Sequence, residues 1–358
     1  MTIVLVEPEA GGRLSGGFLY NSRMEQHGAW TLLRAHPQEL TRAVQDVSAD
    51  LLIADSLWLT DAHVEPFLKR KREGTRVAVL LHSFPESTAA AEAGLRSNGT
   101  ASPSELDAVR RFGLALLVGP HYERVLREGG VMTLLIEPGV DDAWRCPPRL
   151  RAASQQPPST GAFRSPTSTF AGGRSPETES RAVALVSVGA ITRRKGFLDV
   201  LEALRESSFA WEWTIVGSPE VDPAYAEPLV RASRQGANVR LAGQRSPAET
   251  RAIVQSSDLL VMPSYDENHP LVLMEALAAS VPSIVYAAGN SAGLIEHGRT
   301  GLVAEIGDRL ALAAHLERLA SNELERLSMA RACWERQRTI PSWAVAAERA
   351  RALLDSSP

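Results

Sequence analysis

The sequence predicts an α/β protein of two domains in series, each a parallel sheet covered by helices on both faces. Three observations carry that expectation. Short runs rich in Val, Ile and Leu alternate with longer mixed segments up to Ile136. The alternation breaks over Arg145 to Arg181 and then restarts. The 358 residues also exceed one small core, since a domain takes about 150 residues.

In the first half the apolar runs are Ile3 to Val6, Leu51 to Ala54, Val77 to Leu81, Leu114 to Val118 and Met132 to Ile136. Gly, Pro, Asp or Ser bounds each, and the intervals accommodate helices such as 104–112 and 120–128. Strands alternating with helices read as a doubly wound sheet. The stretch from Arg145 to Arg181 is rich in Pro, Ser and Thr and follows neither hydrophobic period. It reads as a flexible linker or insertion, because it buries too little apolar surface to offset ordering. Its mild excess of Arg makes a docking segment for an acidic surface the functional alternative.

Beyond it, AVALVSVG (182–189), WTIVG (213–217), VRLAG (239–243), LLVMPS (259–264) and PSIVYA (282–287) read as strands. Helical patterns lie at 196–206, 223–235, 247–256 and 270–280. Pro341 to Leu354 reads as an Ala/Arg amphipathic helix that Ser342 caps. The expected division is therefore 1–144, a linker at 145–181, and 182–341, with a terminal helix at 342–358. No repeat of 20–50 residues relates the halves.

The composition, 44% hydrophobic, 22% charged and 6% aromatic, is that of a soluble globular chain. A net charge of -4 argues against a nucleic-acid partner. Cys146 and Cys333 are far apart and show no zinc-ligand spacing, so two reduced thiols are expected and no metal site. MTIVLVEPEAGG lacks a basic region before its short apolar run, so the expected location is the cytoplasm.

In doubly wound sheets, ligands bind beyond the carboxyl ends of the strands, where helix N-termini point N–H groups into a crevice. VSVGAITRRKG (186–196) is one such loop. Gly189 permits close backbone approach there, and Arg193, Arg194 and Lys195 suit a diphosphate, although a basic loop is often merely solvated. PSYDENHPLVLMEAL (263–277) is another, with Pro270 in the first helical turn. Glu267 falls in the loop, where a helix dipole alone could explain it. Glu275 falls in a helix that is apolar nearly all round, where a carboxylate needs donors. A ribose would supply them, and so would an internal ion pair.

ENHPLVLME with its Glu-x7-Glu spacing, the preceding DLLVMPS, the following ALAASVPSIV, GLIEHGRTGLV (293–303) and the VGAITRRKG loop together resemble retaining GT-B glycosyltransferases. The resemblance is to glycosyltransferase family 4, group 1, which includes sucrose synthases and bacterial mannosyl- and glucosyltransferases. It is dense over 182–310 and sparser earlier, at SGGFLY (15–20), LHSFP (81–85) and IEPGVD (136–141). It implies a GT-B fold, two Rossmann-like doubly wound domains facing a central cleft, with the terminal helix crossing back to the first.

It also implies site residues. Glu275 matches the glutamate on the ribose hydroxyls, Glu267 the one beside the transferred sugar, and Lys195 the lysine that neutralises the diphosphate. His82 matches a histidine reaching the donor sugar. Gly16 and Gly17 match the loop closing over phosphate and acceptor. The backbone at Pro270, Leu271 and Val272 would meet sugar or phosphate oxygens. Two departures stand out: the family's second basic residue is here Ala190, for which Arg193 or Arg194 could substitute, and its Gly-Gly-x-Pro-Glu segment is GNSAG (289–293).

The implied reaction moves a hexosyl group from a UDP- or GDP-sugar to an acceptor hydroxyl with retention, needing no cofactor. Lys195, an arginine and the helix N-terminus would stabilise the leaving phosphate without a metal ion. Front-face attack then requires no carboxylate nucleophile, and Glu267 receives no such role. A sugar-nucleotide epimerase and a non-catalytic sugar-nucleotide-binding protein are the alternatives. The acceptor, a saccharide, lipid or small molecule, has no readable code. PFLKRKREGTR (66–76) is a candidate for peripheral membrane contact, or simply a solvated helix face. His269 has no evident partner and is read as a local loop residue.

Overall fold

The computed structural model describes residues 1–9, 15–92, 101–148, 181–236 and 238–357. Most of the expected linker, 149–180, lies outside the described residues, so that reading is left where the sequence put it.

Two six-stranded parallel sheets organise the chain. The first comprises β1 (Ile3–Pro8), β2 (Thr31–Ala35), β3 (Leu51–Asp55), β4 (Arg76–Leu81), β5 (Leu114–Leu117) and β6 (Met132–Leu135), in the order β2-β1-β3-β4-β5-β6. The second comprises β7 (Val183–Val188), β8 (Trp211–Val216), β9 (Val239–Gly243), β10 (Leu259–Met262), β11 (Ser283–Tyr286) and β12 (Gly301–Ala304), in the order β12-β11-β10-β7-β8-β9. The second order places a topological switch point between β7 and β10, whose following loops open a crevice at their carboxyl ends. The corresponding reversal in the first sheet lies between β1 and β3.

β2 and β12 are the two strands that the hydrophobic runs do not reveal. Both are sheet edges. β2 is largely exposed or half-buried, and β12 is four residues long, so neither needs a long apolar run. A second departure concerns Gly16 and Gly17, expected in a loop. They open the helix Gly16–Gln26 instead, with the Ser15 hydroxyl accepting from the Phe18 N–H. Two glycines argue locally against a helix. Burial of Tyr20, Asn21 and Met24 on its inner face overrides that preference.

The terminal helix runs Trp343–Ser356, and the Ser342 hydroxyl caps it by accepting from the Val345 N–H. Trp343, Ala346, Ala347, Ala350 and Leu354 are buried in one cluster with Ile3 and Leu5 of β1 and Tyr20 and Met24 of the helix Gly16–Gln26. The chain therefore crosses between the sheets twice, and the two crossings touch. Val140 pairs with Ser342, its N–H donating to Pro341 O at 3.0 Å. Arg145 donates to the carbonyls of Gln337 (2.8 Å) and Ile340 (2.9 Å).

Part of the basic run of 66–76 is engaged internally. Arg70 donates to Val44 O (2.7 Å) and Val47 O (2.8 Å) at the end of the helix Leu40–Asp46. Lys71 donates to Arg111 O (2.9 Å) and Phe112 O (2.7 Å) at the end of the helix Pro103–Phe112. These cations cap helix C-termini, where the macrodipole favours positive charge. Arg72 pairs with Glu65, and Arg76 reaches Ser357 O at 2.9 Å. Among the described residues no helix is long and apolar enough to cross a membrane.

Candidate active site

The loops after β7 and β10 meet because their strands are neighbours. After β7 the chain makes a single turn at Arg193–Lys195 and enters the helix Phe197–Arg205. Gly196 lies so close to β10's loop that an added Cβ would sit 2.0 Å from Pro263 O. Hydrogen bonds to main-chain oxygens join the loops, Tyr265 N donating to Arg194 O (2.8 Å) and an Arg194 guanidinium nitrogen to Asp266 O (2.7 Å).

This apposition brings Lys195 Nζ onto Glu267 Oε1, with Arg194 at 3.6 Å from the same oxygen. Both Glu267 and Lys195 are nearly buried. Burial would raise the Glu267 carboxyl, but Lys195 and Arg194 outweigh it and hold it below its ordinary value. Burial pulls the Lys195 ammonium down, against the attraction of Glu267. Arg193 does not join them. It is exposed and lies over the Tyr225 ring at 5.9 Å, because successive residues of a tight turn point to different sides. Arg194 alone stands where the second basic residue was sought, and its buried Nε has no hydrogen-bond partner among the described residues.

Gly189 adopts φ +149, and the alkyl chain of Lys195 passes 3.1 Å from where its Cβ would be. The loop after β11 supports Glu267 from behind. Gly289, at φ +54, lies so near that an added Cβ would fall 1.3 Å from Glu267 O, and Asn290 N donates to Asn268 O at 2.9 Å. The segment GNSAG thus braces the Glu267 loop through its backbone.

Pro270 is the N-cap of the helix Leu271–Ala278, and the first N–H groups, at Leu271 and Val272, have no partner within the helix. Glu275 projects from its second turn. Its carboxyl touches solvent only in part and makes no hydrogen bond or ion pair among the described residues, unlike that of Glu267. Burial, reinforced by Asp141 and opposed by Arg23, pushes its pKa up to about 8. Arg23 and Asp141, both on the first sheet's side, pair with each other at 2.6 Å.

The first sheet closes over this loop. Asn268 Nδ2 donates to Leu81 O at 3.2 Å. His269, read from sequence as local, is an interface residue. It packs so tightly on Gly119, just after β5, that a Cβ there would meet its Nδ1 at 2.4 Å, and Asn290 Nδ2 holds that nitrogen at 2.9 Å. Burial brings the His269 pKa down to about 4. Gly16 faces Leu271, and the Cβ that Gly17 lacks would press on the His82 ring at 3.1 Å. His82 follows β4, with Nε2 2.9 Å from Asn21 Oδ1. No hydrogen bond joins His82 to Glu267 among the described residues. The sequence reading missed Asn268, Arg194's solitary role and Asn21; adjacency to Glu267 could have pointed to Asn268, whereas nothing local marks Asn21.

Residues 174–336, just under half of the chain, match the model of glycosyl transferases group 1. Among curated relatives, the amylovoran biosynthesis glycosyltransferase AmsK of Erwinia amylovora is 29% identical over 150 residues, covering 39% of this chain and 37% of the relative. A D-inositol 3-phosphate glycosyltransferase of Corynebacterium aurimucosum is 36% identical over 109 residues, covering 30% and 26%. The chain spans only about a quarter to a half of such relatives' lengths. Among solved structures, sucrose-phosphate synthase from Thermosynechococcus elongatus superposes with a TM-score of 0.74 at 16% identity over 99% of this chain and 100% of its own. Anabaena HepE, in complex with UDP and glucose, gives 0.74 at 16% over 100% of both. The fold is GT-B, with the crevice lying between the carboxyl ends of the two sheets.

Proposed function

We propose that this chain, whose residues 174–336 match the model of glycosyl transferases group 1 and whose fold is GT-B, is a cytoplasmic, retaining, metal-independent hexosyltransferase that uses a nucleotide-diphosphate sugar. The carrying observation is the contrast between two carboxyls of one loop and helix. Glu267 is engaged by Lys195 and Arg194, whereas Glu275 has a raised pKa and no partner. A ribose fits Glu275, because its hydroxyls supply the donors that a half-buried carboxyl lacks. A UDP-sugar is the first donor to try, since Anabaena HepE has been seen with UDP, with UDP and glucose, and with UDP-glucose.

In this reading, departure of the sugar builds negative charge on the diphosphate. Lys195, Arg194 and the N–H groups of Leu271 and Val272 face that charge and stabilise it. The charge requirement is met by protein cations, so chelator should leave activity intact. Activity abolished by chelator and restored by Mg²⁺ would overturn that part. Glu267 orients Lys195 beside the sugar and is not a nucleophile; a glycosyl adduct on Glu267 by mass spectrometry would contradict this role. The acceptor hydroxyl attacks on the face the diphosphate leaves and passes its proton to the leaving phosphate, which retains the anomeric configuration, and proton NMR of the product's anomeric signal tests it.

The deciding experiment is a thermal-shift panel of UDP-, GDP- and ADP-sugars on wild type and Glu275→Ala. One nucleotide should raise the melting temperature of wild type and not of the variant. If no sugar nucleotide stabilises the wild type, the reading fails. Product analysis with the stabilising donor then separates transfer or sugar release from an isomerised nucleotide sugar.

A further inference from the structure

At the switch point of the first sheet, two carboxylates are buried that the reaction outlined above does not use. Glu7, near the end of β1, is wholly buried, and Asp55, the last residue of β3, is 2% exposed. Between them lies Asn21 of the helix Gly16–Gln26, also wholly buried. Its Nδ2 donates to Glu7 Oε2 at 2.8 Å and to Asp55 Oδ2 at 2.9 Å. The amide is not turned over, because Oδ1 would then face the Asp55 carboxylate with no hydrogen between them, whichever proton state Glu7 takes; burial raises the Glu7 carboxyl, with Asn21 and Arg34 opposing. Leu57 N donates to Asp55 Oδ1 at 2.9 Å, and Arg34 Nε forms an ion pair with Glu7 Oε1 at 2.9 Å, although that oxygen accepts no hydrogen bond among the described residues.

With Asn21 oriented, its Oδ1 at 2.9 Å from His82 Nε2 requires that Nε2 carry a hydrogen. The ring is clamped by the Tyr20 edge, 5.4 Å between centroids, and its backbone N–H donates to Ser56 Oγ at 3.3 Å. Nδ1 makes no hydrogen bond among the described residues, and the side chain keeps 16% exposure. Asp55 Oδ2 is 3.6 Å from Nε2, too far for a hydrogen bond of its own. Burial lowers the His82 pKa, with Asp55 opposing, so the ring is neutral and Nδ1 offers a lone pair. The preceding residue, Leu81, accepts from Asn268 beside Glu267, so His82 stands at the crevice wall.

We propose that Asn21, oriented by Glu7 and Asp55, is a positioning residue that holds His82 as its Nε2–H tautomer, leaving Nδ1 to accept a hydrogen bond from a hydroxyl of the transferred sugar. The last step rests on the glycosyltransferase reading; the tautomer does not. A network serving stability alone would not need this arrangement, since well-packed apolar residues often replace buried charges without loss. The charged groups facing the cluster are Asp55 from β3, Glu7 from β1 and, through Glu7, Arg34 from β2. The helix presents Asn21 and Tyr20.

The test is long-range proton–nitrogen NMR of the full chain labelled with 15N-histidine, the His82 signals being identified by their loss in His82→Gln. Wild type should show a neutral His82 protonated at Nε2 at pH 7.5. An Nδ1–H tautomer or an imidazolium there would overturn the proposal without any variant. In folded Asn21→Ala the tautomers should mix. UDP-glucose should then bind about tenfold more weakly, the contribution of one hydrogen bond, while UDP binds as before. An unchanged tautomer in that variant, or an unchanged ratio of the two affinities, would also overturn it. GDP-mannose and GDP serve as the second pair. Should wild type bind neither sugar nucleotide, the sugar step falls with the glycosyltransferase reading, and the NMR result still decides the tautomer.

Discussion

Glu267 and Glu275 lie eight residues apart and hold their protons in opposite ways. Glu275 is the sharper case, because its folded pKa of about 8 exceeds the ordinary 4.5. The folded state therefore binds a proton that the unfolded chain releases between those values, and stability should fall as pH rises from about 4.5 to about 8. The fall should amount to about 2 kcal/mol, discounted because the residue keeps some contact with water. Urea unfolding of Glu275→Gln across that range should lose this slope; an identical slope would show that Glu275 is not its source. The two arginines offer a second contrast at this scale. Arg194→Ala should weaken sugar-nucleotide binding by about 10- to 100-fold, as expected for a lost charge-assisted contact. Arg193→Ala should change it by less than about twofold, as for an exposed charge. Calorimetric titration reads both, and equal losses would return Arg193 to the site.

The elements that build the site are ordinary pieces joined at unusually close range. The helix Leu271–Ala278 starts at Pro270, and the loop before it is sandwiched between the Lys195 turn and the Gly289 loop. Gly289→Ala sets a Cβ onto Glu267 O, so it should cost about 3 kcal/mol and displace the carboxylate from Lys195. Gly298 is the control: its φ is also positive, +79, but nothing lies within 4 Å of an added Cβ. Gly298→Ala should therefore cost only about 1 kcal/mol, the conformational share. Chemical denaturation of both variants separates crowding from backbone strain, and equal losses would rule out the bracing role of the Gly289 loop.

At the scale of the molecule, the contacts between the two halves include Asn268 on Leu81 and His269 on Gly119, and the crossings at Val140 and Ser342 also join them. Opening the crevice must break the first two contacts and can pivot about the last. Gly119→Ala inserts a methyl where His269 Nδ1 already sits, and Asn290 leaves that ring little freedom. The variant should rest more open, with a larger radius of gyration in solution scattering and about tenfold weaker donor binding. Scattering identical to wild type, with or without donor, would contradict such a wedge.

Much of this arrangement is written in the chain. Hydrophobic runs, caps and turn residues act over a few neighbours, which is why ten of the strands, the cap at Ser342 and the two loops carrying Lys195 and Glu267 could be read in advance. Edge strand β2 escaped because it is largely exposed or half-buried, β12 because it is only four residues long, and the Gly16–Gln26 helix because its stability comes from burial against distant strands. The pattern at 263–277 also marked two carboxylates in need of partners. Only the tertiary structure decided which partners they have: that Lys195 and Arg194, more than seventy residues away, engage Glu267, that Arg193 turns aside, and that Glu275 is left without a donor. Partnering between side chains depends on which strand ends are adjacent in the sheet, and that adjacency is a property of the whole fold.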